Sequence, residues 1–176
     1  PALYDADGDG RSEVFVLGDL RPTEPYAVLY AFDDDGTKLW EFKSGDNLGY
    51  RIVVFAQLDS DPQYEMVVHG GGSGGPVVEA IDSDGTLMWN YYASWTSHHT
   101  SGADVDGDGE EEIIVFAFSG VHILNKQGVL QSRILDVGFY TPLGVVGDIT
   151  GDDVPDIIVS YAGVSTIETD PLHNTL

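Results

Sequence analysis

Four times along the chain a nine-residue acidic pattern recurs, and each copy runs directly into a short apolar stretch. Aligned on the last acid, the copies read Asp5-Ala-Asp7-Gly-Asp9-Gly-Arg11-Ser-Glu13, Gln57-Leu-Asp59-Ser-Asp61-Pro-Gln63-Tyr-Glu65, Asp104-Val-Asp106-Gly-Asp108-Gly-Glu110-Glu-Glu112 and Asp148-Ile-Thr150-Gly-Asp152-Asp-Val154-Pro-Asp156. Their starts, at 5, 57, 104 and 148, lie 52, 47 and 44 residues apart. A repeat of that length is one supersecondary unit that buries its faces against its neighbours.

The runs that follow, Val14 to Leu17, Met66 to Val68, Ile113 to Phe116 and Ile157 to Val159, are too short and too β-branched for helices and read as buried strands. A second recurring element follows in the first three copies, from Tyr30 to Gly36, Glu79 to Gly85 and His122 to Gly128. Each is a strand ending in an Asp/Asn-x-x-Gly turn, in which glycine supplies the positive φ that reverses the chain. Return strands are expected over Lys38 to Lys43, Leu87 to Ala93 and Val129 to Leu135. Lead-in strands to the next acidic loop are expected over Tyr50 to Ala56, His98 to Ala103 and Thr141 to Gly147.

No stretch of eleven or more residues carries a convincing 3.6-residue period, so helix is expected to be scarce or absent. Four antiparallel strands per repeat predict an all-β chain, a β-propeller of about four four-stranded blades or an arc of a larger ring. Residues 1–176 then form one propeller or propeller fragment of about fifteen strands, and the arc is the favoured form.

Composition narrows the partners. With 42% hydrophobic and 11% aromatic residues the chain reads as globular, despite a formal net charge of -23. That charge repels nucleic acid and anionic membrane surfaces and favours cations. Cysteine is absent, so neither disulfides nor thiolate metal sites are available. No apolar window approaches 18 residues, so membrane insertion is not expected. The opening Pro1-Ala-Leu-Tyr4 lacks the features of a signal peptide, and the expectation is a chain processed or excised from something longer.

Within the first and third loops, acids stand at positions 1, 3, 5 and 9, with glycine at 4 and 6. Alternate carboxylates in a tight loop turn toward one centre, and position 7 can add its backbone carbonyl. The result is an oxygen cage of the kind calcium accepts at about 2.3–2.6 Å. An EF-hand would need a bidentate Glu at position 12 and flanking helices. Position 12 is Val16, Val68, Val115 and Val159, so that reading fails. The candidate metal ligands are therefore Asp5, Asp7, Asp9, Arg11 and Glu13; Asp59, Asp61, Gln63 and Glu65; Asp104, Asp106, Asp108, Glu110 and Glu112; and Asp148, Thr150, Asp152, Val154 and Asp156, with Arg11, Gln63, Glu110 and Val154 offering position 7. Fourteen of the 30 acids stand at positions 1, 3, 5 and 9 of these loops, so about half the charge has a local purpose.

The stretches "DADGDGRSEVFV" and "DVDGDGEEEIIV" resemble the calcium loop of the FG-GAP or VCBS-type propeller repeats, found in the integrin α-subunit head and in secreted bacterial proteins. Loop two departs from the pattern with Gln57 at position 1 and Pro62 at position 6, and loop four with Thr150 at 3 and Asp153 at 6. The resemblance implies bound Ca2+, an extracellular or cell-surface setting, and a non-enzymatic module for ligand binding, adhesion or assembly, with carbohydrate or protein as ligand. It is equally consistent with a homo-oligomer or with further blades on a longer chain. Two other classes stand beside it. One is a polysaccharide-active propeller enzyme of the rhamnogalacturonan lyase kind, for which the sequence offers no catalytic constellation; the other is a structural subunit of a self-assembling polymer.

Weaker signals point elsewhere without a supporting context. Gly70, Gly72 and Gly75 match G-x-G-x-x-G, but a strand rather than a helix follows Pro76. His98 and His99 are adjacent on a strand and face opposite ways, so packing or surface roles are expected for them and for His69 and His122. Trp89, Tyr91, Tyr92 and Trp95 form an aromatic run, with Trp89 and Tyr91 expected to fill core. "GTKLW" and "GTLMW" resemble the Gly-to-Trp hairpins of pyrroloquinoline-quinone dehydrogenase propellers.

Overall fold

The computed structural model describes residues 1–19, 27–44, 49–71, 77–93, 97–117, 119–134, 143–161 and 164–168. Among them the chain is all-β, with fifteen strands in four antiparallel sheets and no helix. Sheet 1 is the meander Ala2–Tyr4 (β1), Glu13–Asp19 (β2), Ala27–Phe32 (β3) and Lys38–Lys43 (β4). Sheet 2 repeats it with Gly49–Ala56 (β5), Glu65–Gly71 (β6), Val77–Ile81 (β7) and Leu87–Tyr92 (β8). Sheet 3 is built from Ser97–Ala103 (β9), Glu112–Ala117 (β10), Gly120–Leu124 (β11) and Leu130–Ile134 (β12). Sheet 4 has three strands, Leu143–Gly147 (β13), Asp156–Tyr161 (β14) and Val164–Glu168 (β15).

The hairpins between third and fourth strands are copies of one device. Asp33, Asp82 and Asn125 each donate their amide to the carbonyl four residues on, and Gly36, Gly85 and Gly128 each donate back to that Asp or Asn at 2.8–2.9 Å. The three glycines have φ of 85°, 89° and 75°, which an L side chain adopts only at a cost. A β-bulge follows each turn, where the pairing skips Leu39, Met88 and Gln131.

The sheets pack in chain order because their middle strands are apolar on both faces. Phe15, Leu29 and Ala31 of sheet 1 meet Met66, Val68 and Ile81 of sheet 2. Val67, Val78 and Ala80 on the other face of sheet 2 meet Ile113, Val115 and Leu124 of sheet 3. Ile114, Phe116 and Ile123 then meet Ile157 and Val159 of sheet 4. Strand β10 is thus buried at all six residues, and each large side chain in it contributes about 1.5–3 kcal/mol. Among the described residues no such cluster joins sheet 1 to sheet 4, and the row of sheets is open.

Two polar links cross from sheet 2 to sheet 3 inside this core. His69 Nδ1 lies 3.2 Å from Thr100 Oγ1. His122, fully buried, has Tyr91 Oη 2.9 Å from Nδ1 and Ser119 Oγ 2.9 Å from Nε2, so either neutral tautomer is satisfied. Burial, helped by the Arg133 charge, pushes the His122 imidazole down from 6.5 to about 4. Between those values the unfolded chain holds more protons than the folded one. The stabilisation is therefore complete above pH 6.5 and is lost as pH falls towards 4. The loss should approach about 3 kcal/mol, and the slope of unfolding free energy against pH over that window should flatten in His122→Gln. Urea titrations of metal-free protein between pH 4 and 7 measure it; equal slopes for the two proteins would remove His122 as the cause.

Candidate metal centres

Each acidic loop joins the first strand of its sheet to the second, so the four loops fall at the same place in four stacked units. Each loop region touches the next. Tyr64 N donates to Tyr4 Oη at 3.3 Å, Gln57 N donates to Glu111 Oε2 at 3.2 Å, and a Cβ placed on Gly107 would lie 3.7 Å from Val154 Cγ2. The strand on either side of each loop, with Val16, Val68, Val115 and Val159 inside the second strand, is incompatible with a helix-loop-helix hand.

Position 1 braces the loop. Asp5 accepts from Gly8 N at 2.9 Å and Gly10 N at 3.0 Å; Asp104 accepts from Gly107, Asp108 and Gly109 N at 2.7–3.1 Å. Asp148 does the same with Gly151, Asp152 and Asp153 N, and these bonds, Gly151 first, hold its carboxyl below the usual range. The geometry requires positive φ at position 6, where Gly10 and Gly109 have 90° and 89°. Asp153 takes the same conformation at φ 68°, the one non-glycine among the described residues to do so, and aspartate tolerates it better than most.

Loop two solves the same problem with reversed polarity. Pro62 has no amide hydrogen to give, so a position-1 carboxylate would find no donor there. Gln57 instead donates from Nε2 to Asp61 O at 2.5 Å.

Positions 3 and 5 spend one oxygen each on the chain. Asp7 and Asp9 accept from Asp9 N and Arg11 N, Asp59 and Asp61 from Asp61 N and Gln63 N, and Asp106 and Asp108 from Asp108 N and Glu110 N, all at 2.8–3.1 Å. Asp152 accepts from Val154 N at 3.1 Å.

Position 9 is the buried anchor. Glu13, Glu65, Glu112 and Asp156 are 1%, 0%, 4% and 3% exposed, which aspartate and glutamate accept only when compensated. One oxygen of each accepts the amide of position 2: Ala6 N to Glu13 Oε2 at 2.5 Å, Leu58 N to Glu65 Oε2 at 2.5 Å, Val105 N to Glu112 Oε2 at 3.1 Å and Ile149 N to Asp156 Oδ2 at 2.9 Å. The other oxygens of Glu13 and Glu65 are buried and have no hydrogen-bond partner. Burial, opposed by the Val105 amide and reinforced by Asp106, Asp108 and Asp104, pushes Glu112 up to about 7. Burial also raises Glu65, with Asp59 and Asp61 adding to it.

Three groups of carboxylates converge so that one oxygen from each member lies within 4.8 Å of the others: Asp5, Asp7 and Glu13; Asp104, Asp106 and Asp108; and Asp59, Glu65 and Asp82. Among the described residues loop four forms no such group, its third position being Thr150. Asp82 is the residue that the sequence reading misses: it stands in the β7–β8 turn, where Asp-Ser-Asp-Gly reads as turn chemistry alone. The same turn leans on the loop in the other complete sheets, through Arg11 Nη1 to Asp34 Oδ2 at 2.6 Å and through Lys126 Nζ to Glu110 Oε1.

The remaining candidates have structural surroundings or lie elsewhere. Trp89 and Tyr91 pack on the core between sheets 2 and 3, and Tyr92 is exposed. The His99 ring lies against Phe116 at 5.6 Å. Trp95, Gly72, Gly75 and Pro76 lie outside the described residues, and the His98 side chain is not among those described.

No family model and no curated protein matches the sequence. Among solved structures the chain is similar to a rhamnogalacturonan lyase PL11 from Bacillus licheniformis, with a TM-score of 0.72 at 17% identity over 97% of this chain. It is also similar to the V. cholerae biofilm matrix protein Bap1, with a TM-score of 0.49 at 18% identity over 90% of this chain and 34% of the other. The likeness to the lyase shows a shared fold. The chain spans 37% of that structure's length.

Proposed function

We propose that this chain is an arc of FG-GAP/VCBS-type propeller blades whose acidic loops hold calcium as a structural ion, and that it serves outside the cell in ligand binding, adhesion or assembly. The observation that carries the reading is the buried position-9 glutamate. Glu13 and Glu65 each keep a buried, unpartnered oxygen, and each belongs to a group of three converging carboxylates, an arrangement that burial alone makes costly and that a hard cation with oxygen ligands compensates.

In the first loop Asp5, Asp7, Asp9, Glu13 and the Arg11 carbonyl would hold the ion; in the third, Asp104, Asp106, Asp108, Glu112 and the Glu110 carbonyl. The ion supplies positive charge, and the chain supplies the cage. At free calcium about 100 times the dissociation constant, each site adds roughly 2.7 kcal/mol. Extracellular calcium suits this use, since weak sites fill there and would stand largely empty in the cytosol.

Elemental analysis of folded protein dialysed against millimolar calcium tests the proposal. Two or more calcium ions per chain are expected; none would overturn it. A second reading, favoured by the fold shared with the lyase, is a polysaccharide-active protein. Cleavage of rhamnogalacturonan by the purified chain would establish it, whereas glycan binding without cleavage would favour the binding module.

A further inference from the structure

We infer that the second loop is a complete cation site, in which Asp82 of the β7–β8 turn replaces the carboxylate that the loop's first position lacks. This rests on the metal-binding reading of the loops and extends it to a site assembled from two separate segments of one sheet.

The carboxylates of Asp59, Glu65 and Asp82 bring one oxygen each within 4.8 Å of the other two. A second observation, independent of that clustering, is Glu65 itself. It is 0% exposed, its Oε2 is taken by the Leu58 amide, and its Oε1 is buried with no hydrogen-bond partner. Gln57 Oε1 is likewise buried without a partner. Among the described residues no ion pair reaches Asp59, Glu65 or Asp82. Three carboxylates, one of them fully buried, therefore face each other with no protein cation to balance them, and a divalent oxygen-liganded ion supplies what is missing.

The presentation of Asp82 is fixed before any ion arrives. Its amide is tied to Thr86 O at 2.8 Å, and its carbonyl accepts from Gly85 N at 2.9 Å. Trp40 of sheet 1 holds the next residue, donating from Nε1 to Ser83 O at 2.9 Å. The corresponding turns of sheets 1 and 3 reach their loops through the Arg11–Asp34 and Glu110–Lys126 ion pairs. Sheet 2 carries Gln63 and Ser83 at those places and makes the contact through Asp82 instead. At the equivalent position of sheet 3, Asn125 spends Oδ1 on the Gln127 and Val129 amides.

The test is calcium titration calorimetry on the whole chain and on Asp82→Asn and Asp104→Asn, with terbium emission excited through indole as a second readout. Asparagine suits this turn, since Asn125 occupies it in sheet 3, so folding of Asp82→Asn is expected. Asp82→Asn should lose one site or weaken it at least tenfold, and should reduce terbium emission because Trp40 sits on the same turn. Asp104→Asn should lose a different site. If Asp82→Asn binds as many ions as the parent with unchanged affinities while Asp104→Asn loses one, the inference is wrong and the calcium proposal stands. If the parent chain binds no calcium, both fall.

Discussion

Glu112→Gln is expected to raise the melting temperature of the metal-free protein at pH 8 and to lower that of the calcium-loaded protein. Without metal, the Glu112 carboxylate is 4% exposed, and burial, reinforced by the charges of Asp106, Asp108 and Asp104, pushes its pKa up to about 7. At pH 8 it is ionised at a cost that a neutral amide avoids, and the amide oxygen can still accept from Val105 N. The gain should be about 1–3 kcal/mol. With calcium bound the same change deletes a charged ligand, and much of the roughly 2.7 kcal/mol contributed by a well-filled site is lost. For a chain of this size each kcal/mol moves the midpoint by about 2–4 °C, so the two shifts are measurable and opposite in sign. Thermal melts with chelator and with millimolar calcium decide it. A fall of equal size in both conditions would make Glu112 an ordinary buried side chain and would remove ligation as its role.

Much of this architecture is legible in the residues. The strand Lys38–Lys43 and the hairpins on Gly36, Gly85 and Gly128 follow from period-two apolar alternation and from turns that need positive φ. The loop spacing likewise places an acidic loop between the first and second strands of each sheet. What sequence order hides is contact between segments. Asp82 lies 17 residues beyond Glu65, and nothing in Asp-Ser-Asp-Gly distinguishes a turn from a turn that also faces an acidic loop. The position-1 aspartates read as ligands, yet Asp5 and Asp104 also brace their loops through backbone amides. In loop two one of those amides is missing, because Pro62 stands at position 6, and there Gln57 braces the loop by donating to Asp61 O instead. Burial of the position-9 acid is equally hidden, because an acid at the start of an apolar run reads as the loop's edge, whereas the fold leaves it at most 4% exposed.

The glycine turns offer the other large effect, because two of the three carry an indole from the preceding sheet. Trp40 donates from Nε1 to Ser83 O at 2.9 Å, and Trp89 to Lys126 O at 2.8 Å. A Cβ on Gly85 would lie 2.7 Å from Trp40 Cδ2, and one on Gly128 2.6 Å from Trp89 Cδ2, whereas a Cβ on Gly36 would meet nothing within 4 Å. All three glycines have positive φ, so Gly36→Ala measures the backbone cost alone, about 1 kcal/mol. Gly85→Ala and Gly128→Ala should cost about 3 kcal/mol each, because the indole must also shift, weakening its hydrogen bond and its contact with the turn. Urea unfolding of the three variants in saturating calcium gives the comparison, and equal losses of about 1 kcal/mol would mean that the indoles do not couple the sheets. The series has a structural limit: the residue equivalent to Trp40 and Trp89 in sheet 3 is Ser132, which has no ring to extend. Among the described residues sheet 3 meets sheet 4 through apolar contact, and Gly144 shows how close it is: a Cβ there would fall 1.8 Å from Phe116 Cε1. The "GTKLW" and "GTLMW" stretches are therefore sheet-to-sheet fasteners, and their absence after Gly128 marks the point at which the joining chemistry changes.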